Sequence, residues 1–215
     1  EFGLAEGGSA LTIDAEGNWR PAAFNGGSLN IPAGFRGVVR IGWDQFVQAA
    51  WQCDGDQAIC DAKLDAGEVT GLQFGFPPKN YIHNVITIDD ITLYRADKIL
   101  DDFESYADDA ALQSVWRIDW EDGPPSALRT IDNANYADGS RAMKLSVSPP
   151  PGEPASDWVN IKRTAFAGTD RDWSDFDGLT LWVNNLSPTD KNMDLNVALV
   201  TDAPKGEFSL KAGSA

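Results

Sequence analysis

Short apolar stretches alternate with polar breaks along most of the chain. Seven runs carry the pattern: "GVVRIGW", "VTGLQFGF", "NVITIDDITLY", "RAMKLSVS", "DWVNIKRTAF", "GLTLWVNN" and "LNVALVTD". Each is rich in β-branched or aromatic residues and most are too short for a helix, so they predict strands. Clusters of Gly, Pro, Asn and Asp separate them, and such spacing predicts an all-β antiparallel sandwich or barrel. One segment differs. "YADDAALQSVW" sets Leu112, Val115 and Trp116 roughly on one helical face, with Asp108 and Asp109 near the positive end of the helix dipole. It predicts a short helix. "VSPPPGEPASDW" predicts a loop, because three consecutive prolines remove donors that a central strand needs.

The two ends of the chain repeat one another. With a one-residue gap, Glu1, Phe2, Leu4, Gly8, Ser9 and Ala10 recur as Glu207, Phe208, Leu210, Gly213, Ser214 and Ala215, a spacing of 206 residues between the two glutamates. Such self-similarity directs attention to internal repeats. A seam lies near "YRADKILDDFESY": "ITIDDITLY" before it reads as a strand that finishes a domain, and "ILDDFESY" after it as one that starts a domain.

Composition narrows the partners. Hydrophobic residues make up 42% and charged residues 23% of 215, ordinary values for a globular chain. A formal net charge of -16 opposes nucleic acid and anionic membranes, both of which need clustered cations. No run approaches the roughly 18 to 20 apolar residues of a membrane span, so membrane insertion is not expected. Cys53 and Cys60 bracket "DGDQAI". That spacing suits a small loop disulfide in an oxidising compartment, with two free thiols as the alternative.

"ILDDFESYADDAALQSVW", "YADGSRAMKLSV", "DWVNIKR", "DWSDFDGLTLWV" and "LNVALV" resemble the opening half of a family 11-type carbohydrate-binding module, a β-jelly roll of secreted polysaccharide-degrading systems. "GFRGVVRIGWDQF", "VTGLQFGF" and "ITIDDITLY" resemble its closing half, in that order. The resemblance implies a jelly roll with strands in permuted or inter-repeat order. Residues 1–96 would be the C-terminal half of one module and residues 97–215 the N-terminal half of the next. Two arrangements fit: halves shared along a tandem array with neighbouring copies, or one circularly permuted jelly roll over residues 1–215, in which "TLYRADKIL" is a hairpin. The setting implied is extracellular or at the cell surface.

Signals of catalysis are absent from the sequence: it has no "GxSxG", "HExxH" or "GxxxxGK[ST]" motif and a single histidine, His83. The expectation is a non-enzymatic chain. Sugar binding needs aromatic platforms beside hydrogen-bonding side chains. By resemblance, the family's cleft corresponds to Trp51, Gln73, Phe76, Trp120 and Trp158, and the ligand to a polysaccharide or other glycan. A structural Ca2+ is also implied, because jelly rolls clamp terminal strands with this ion and it takes oxygen ligands. Asp90, Asp102 and Glu104, with the turn at Asp138, are its candidate ligands. The competing functional reading is a structural repeat whose copies build an extracellular filament, stalk or sheath by completing one another's sheets.

Overall fold

The computed structural model describes residues 11–13, 19–21, 28–49, 63–76, 84–121, 127–148, 159–164, 166, 168–187, 192–201 and 206–210. In chain order the strands are β1 (Leu11–Ile13), β2 (Trp19–Pro21), β3 (Leu29–Ile31), β4 (Arg36–Gly42), β5 (Phe46–Gln48), β6 (Val69–Phe76), β7 (Asn84–Tyr94) and β8 (Lys98–Asp101). The helix α1 (Asp109–Val115) leads into β9 (Trp116–Glu121). Then come β10 (Ala127–Asp132), β11 (Ala142–Val147), β12 (Val159–Thr164), β13 (Gly178–Asn185), β14 (Met193–Thr201) and β15 (Glu207–Leu210). All seven apolar runs of the sequence become strands.

Two sheets pack face to face as a β-sandwich. One runs β1-β2-β4-β13-β7-β11-β10, with β8 also on β7; the other runs β5-β15-β14-β6-β12-β9, with β3 on β14. Among the described residues, pairing is antiparallel except for a single parallel bridge, Trp19 to Val39, between β2 and β4. Strands from before and after residue 97 are interleaved in both sheets. β13 lies between β4 and β7, and β6 lies between β14 and β12. The seam itself is the β7–β8 hairpin, in which Leu93 pairs with Lys98 and the turn holds Arg95 and Asp97 at φ values of 103° and 49°.

Alternation explains the core. On β6, Leu72, Phe74 and Phe76 point inward; on β14, Leu195, Val197 and Leu199 do so; on β13, Leu179, Leu181 and Val183. They join Val39, Ile41, Ile86, Ile88, Ile161, Phe208 and Leu210 in one buried cluster. Each such side chain stabilises the fold by roughly 1.5–3 kcal/mol relative to leaving it in water.

The helix forms where the sequence places it, and Asp108 caps it by accepting the Ala111 N–H at 2.8 Å. It ends one residue earlier than the pattern suggests. Trp116 leaves the helical axis because its ring is fully buried, stacked on Phe74 at 5.3 Å between centroids, and its indole N–H donates to Asp101 Oδ2 at 2.9 Å. That same oxygen accepts the Tyr106 hydroxyl at 2.7 Å and Arg163 Nη1 at 2.5 Å, while Oδ1 accepts the Phe103 N–H at 3.0 Å. A single carboxylate thus ties β8, the following turn, β9 and β12 across the sandwich. Burial and the adjacent Asp101 charge push the Tyr106 phenol well above its ordinary range.

Candidate functional site

Because Leu72, Phe74 and Phe76 enter the core, Gly71, Gln73 and Gly75 fall on the outer face of the second sheet. Register assembles their neighbours. Gln73 lies opposite Lys162 on β12 and Ala198 on β14, and Gly75 lies between Asn160 and Asn196. Farther out, Ser209 pairs with Ala198 and Glu207 with Val200. The glycine at 75 lets the two asparagines close in: a Cβ there would meet Asn160 Oδ1 at 2.7 Å and Asn196 Cβ at 3.2 Å, so the Asn160 amide would have to move.

Gln73 is only 2% exposed although it points away from the core. Its Nε2 donates to Glu207 Oε1 at 3.0 Å, a diagonal contact made possible by the small residues Gly71 and Ala198 along the way. Burial pushes the Glu207 carboxyl up to about 7; the nearby Lys162 ammonium offsets this in part and Asp119 adds to it. Lys162 Nζ in turn lies 3.2 Å from Asp119 Oδ2. Two acceptors on this face, Gln73 Oε1 and Asn160 Oδ1, are buried and have no hydrogen-bond partner among the described residues. Neutral amide oxygens, a carboxyl and an ammonium on one face form a set that both donates to and accepts from hydroxyl groups.

The structure distributes the residues singled out in the sequence as follows. Gln73 lies at the centre of this face. Trp120 is in register with Asn160 on the neighbouring strand β9. Phe76 does not share the face: three residues from Gln73 along one strand, it has the opposite parity, and it is 3% exposed within the core. Trp51, Trp158, Cys53 and Cys60 lie outside the described residues. Glu207, Lys162, Asn160 and Asn196 were not site candidates in the sequence, although Glu207 opens the repeated Glu-Phe-x-Leu and Asn160 and Lys162 lie in "DWVNIKR". Only their register brings them beside Gln73.

The four acidic candidates gather at another place, around the bulge in β7 where Asp90 has a φ of 45°. Burial raises the Asp90 pKa, and the charges of Asp138, Asp102 and Glu104 add to it. The oxygens of three of them already serve turns. Glu104 accepts from Ser140 N, Ser140 Oγ and Arg141 N at 2.7–2.8 Å, Asp102 from Glu104 N at 3.2 Å, and Asp138 from Gly139 N at 2.8 Å. Among the described residues, no three His, Cys, Asp or Glu side chains converge closely enough to share an ion. As placed, the set does not fit the six to eight oxygens of a Ca2+ shell.

Compared with known proteins, the chain matches no protein family, no curated protein and no solved structure. Its class is therefore defined by the coordinates: a two-sheet β-sandwich with a polar, partly unsatisfied outer sheet face.

Proposed function

We propose that the chain is a non-catalytic, extracellular glycan-binding sandwich of jelly-roll type, recognising sugar hydroxyls on the outer face of the second sheet. The observation that carries this reading is the pair of unpartnered amide oxygens, Gln73 Oε1 and Asn160 Oδ1, on neighbouring strands. A buried acceptor without a donor costs about 1–3 kcal/mol. Donor hydroxyls of a polysaccharide remove that cost once the side chains covering the two oxygens move aside, and Lys162 and Glu207 supply further donors and acceptors beside them. The quoted resemblance assigns Trp120, whose backbone is in register with Asn160, as the aromatic platform on which the apolar face of a pyranose ring stacks. The quoted resemblance adds Trp51 and Trp158 to the same cleft, and β-glucans as its polysaccharide class.

Affinity electrophoresis through gels containing β-glucans and other polysaccharides tests this. The chain should be retarded by at least one of them, and Gln73→Leu with Asn160→Leu should abolish retardation while leaving the far-ultraviolet circular dichroism unchanged. Equal mobility in every polysaccharide gel, or retardation that survives both substitutions together with Trp120→Ala, would refute the reading.

A further inference from the structure

The strand that completes the second sheet is built from a sequence that the chain carries twice. β15 lies between β14 and β5, with Leu199 opposite Phe208 on one side and Phe46 opposite Leu210 on the other. Its slot makes four demands. Positions 208 and 210 must be large and apolar, since Phe208 and Leu210 are fully buried. Position 209 must be small, because it lies on the outer face between Ala198 and Val47. Position 207 must carry a side chain that accepts from Gln73. Glu1-Phe2-Gly3-Leu4 meets all four: Glu for Glu207, Phe for Phe208, Gly for Ser209 and Leu for Leu210.

The chain therefore carries two sequences of one specification, and its described residues show a single slot for them, which Glu207–Leu210 occupies. We propose that Glu1–Leu4 is a donor strand for the β15 slot of a second copy of this chain. Seated there, Phe2 and Leu4 enter the core between Leu199 and Phe46, and Glu1 takes over the hydrogen bond from Gln73. The donated strand thus rebuilds the outer face of the acceptor along with the bridge between β14 and β5. Copies link head to tail, a heterologous contact that extends in one direction without closing. Main-chain pairing to β14 and β5 holds the donated strand, and the alternate side chains select it, as in other forms of strand addition. Gly3 gives the donor strand more backbone freedom to lose than Ser209 does, so the resident β15 keeps its own slot in a dilute chain.

The test weakens the resident strand in the 215-residue chain. Phe208→Asp with Leu210→Asp should empty the slot, and multi-angle light scattering should then report dimers and larger species instead of the 23.3 kDa monomer. Adding Phe2→Asp and Leu4→Asp should return the chain to monomer. That fourfold variant, with its slot open, should bind a fluorescein-labelled peptide of residues 1–10 in trans, seen as a saturable rise in anisotropy, and should ignore the same peptide carrying both aspartates. A twofold variant that stays monomeric, or assembly that persists in the fourfold variant, overturns the proposal.

Should the aspartates unfold the chain, a second measurement decides. A Gly3→Cys copy and a Val47→Cys copy, refolded together at high concentration, should form a disulfide-linked pair whose digest contains a peptide joining positions 3 and 47 of different copies. Absence of that linkage overturns the proposal equally. Gel retardation by polysaccharides reads the glycan site separately, so the two proposals can fail independently.

Discussion

Replacing Asp101 with Asn keeps the shape of the side chain and removes its charge, at a site where one oxygen serves three donors. The carboxylate side chain is 4% exposed and its Arg163 partner 24% exposed. Hydrogen bonds to a charged group contribute about 1.5–3 kcal/mol each against about 0.5–1.5 for neutral ones, so three weakened bonds amount to about 3 kcal/mol. An amide also cannot accept at both ends: either its NH2 faces the Tyr106, Trp116 and Arg163 donors, or it faces the Phe103 N–H. Arg163 keeps a second partner, the Leu100 carbonyl at 2.8 Å, which holds the total near the lower end of the roughly 3–5 kcal/mol typical of breaking a buried pair. The expected loss is therefore about 3–4 kcal/mol, a large share of the about 5–15 kcal/mol that a domain possesses. Urea unfolding at neutral pH should show a lower midpoint with the slope unchanged. A cycle with Arg163→Gln should show coupling above about 1 kcal/mol, because the two residues share one contact. A loss below about 1 kcal/mol, or strict additivity with Arg163→Gln, would refute the claim that this carboxylate ties the sheets together.

Other predictions follow from the same geometry. Asp89 is raised from 3.8 to about 6 and Glu207 from 4.5 to about 7, both chiefly by burial. The folded state holds these protons more tightly than the unfolded one, so their contribution to stability is full below about pH 4, falls as pH rises, and is gone above about pH 7. Glu207→Gln should flatten the Glu207 part of that slope and stabilise the chain at pH 8, by at most about 3 kcal/mol; a slope unchanged between pH 4.5 and 7 would contradict the burial of this group. Asp90→Asn relieves repulsion from Asp138, Asp102 and Glu104 at a left-handed position that Asn tolerates, and should raise the melting midpoint at neutral pH. Since the four carboxylates do not converge, Ca2+ and a chelator should give the same midpoint; a rise with Ca2+ would show that they rearrange around the ion. Gly178→Ala should destabilise by about 1–3 kcal/mol or more, because the new methyl would run into the Ile41 carbonyl and sit 2.5 Å from Tyr94 Cε1. An unchanged urea midpoint would contradict that packing.

What the sequence determined by itself was local. The alternation in "VTGLQFGF" and "GLTLWVNN" specified strands and their inward faces, since side chains on a strand alternate whatever the partner. Asp108 and Asp109 marked where the helix begins, because acids at the positive end of a helix act within its first turn. The doubled Glu-Phe-x-Leu marked an internal repeat before any strand order was known.

Partnership was decided by tertiary structure alone. β4 finds β13 and β6 finds β14 across more than a hundred residues, and nothing in a run such as "LNVALVTD" names its neighbour. The outer site depends wholly on those pairings. Gln73 was legible as a candidate, but Glu207 and Asn160 became its neighbours only through β14, β15 and β12. Parity within β6 then sent Phe76 into the core and left Gln73 outside. Pairing and register follow from burying both inner faces at once, a condition on the whole chain that no short stretch can express.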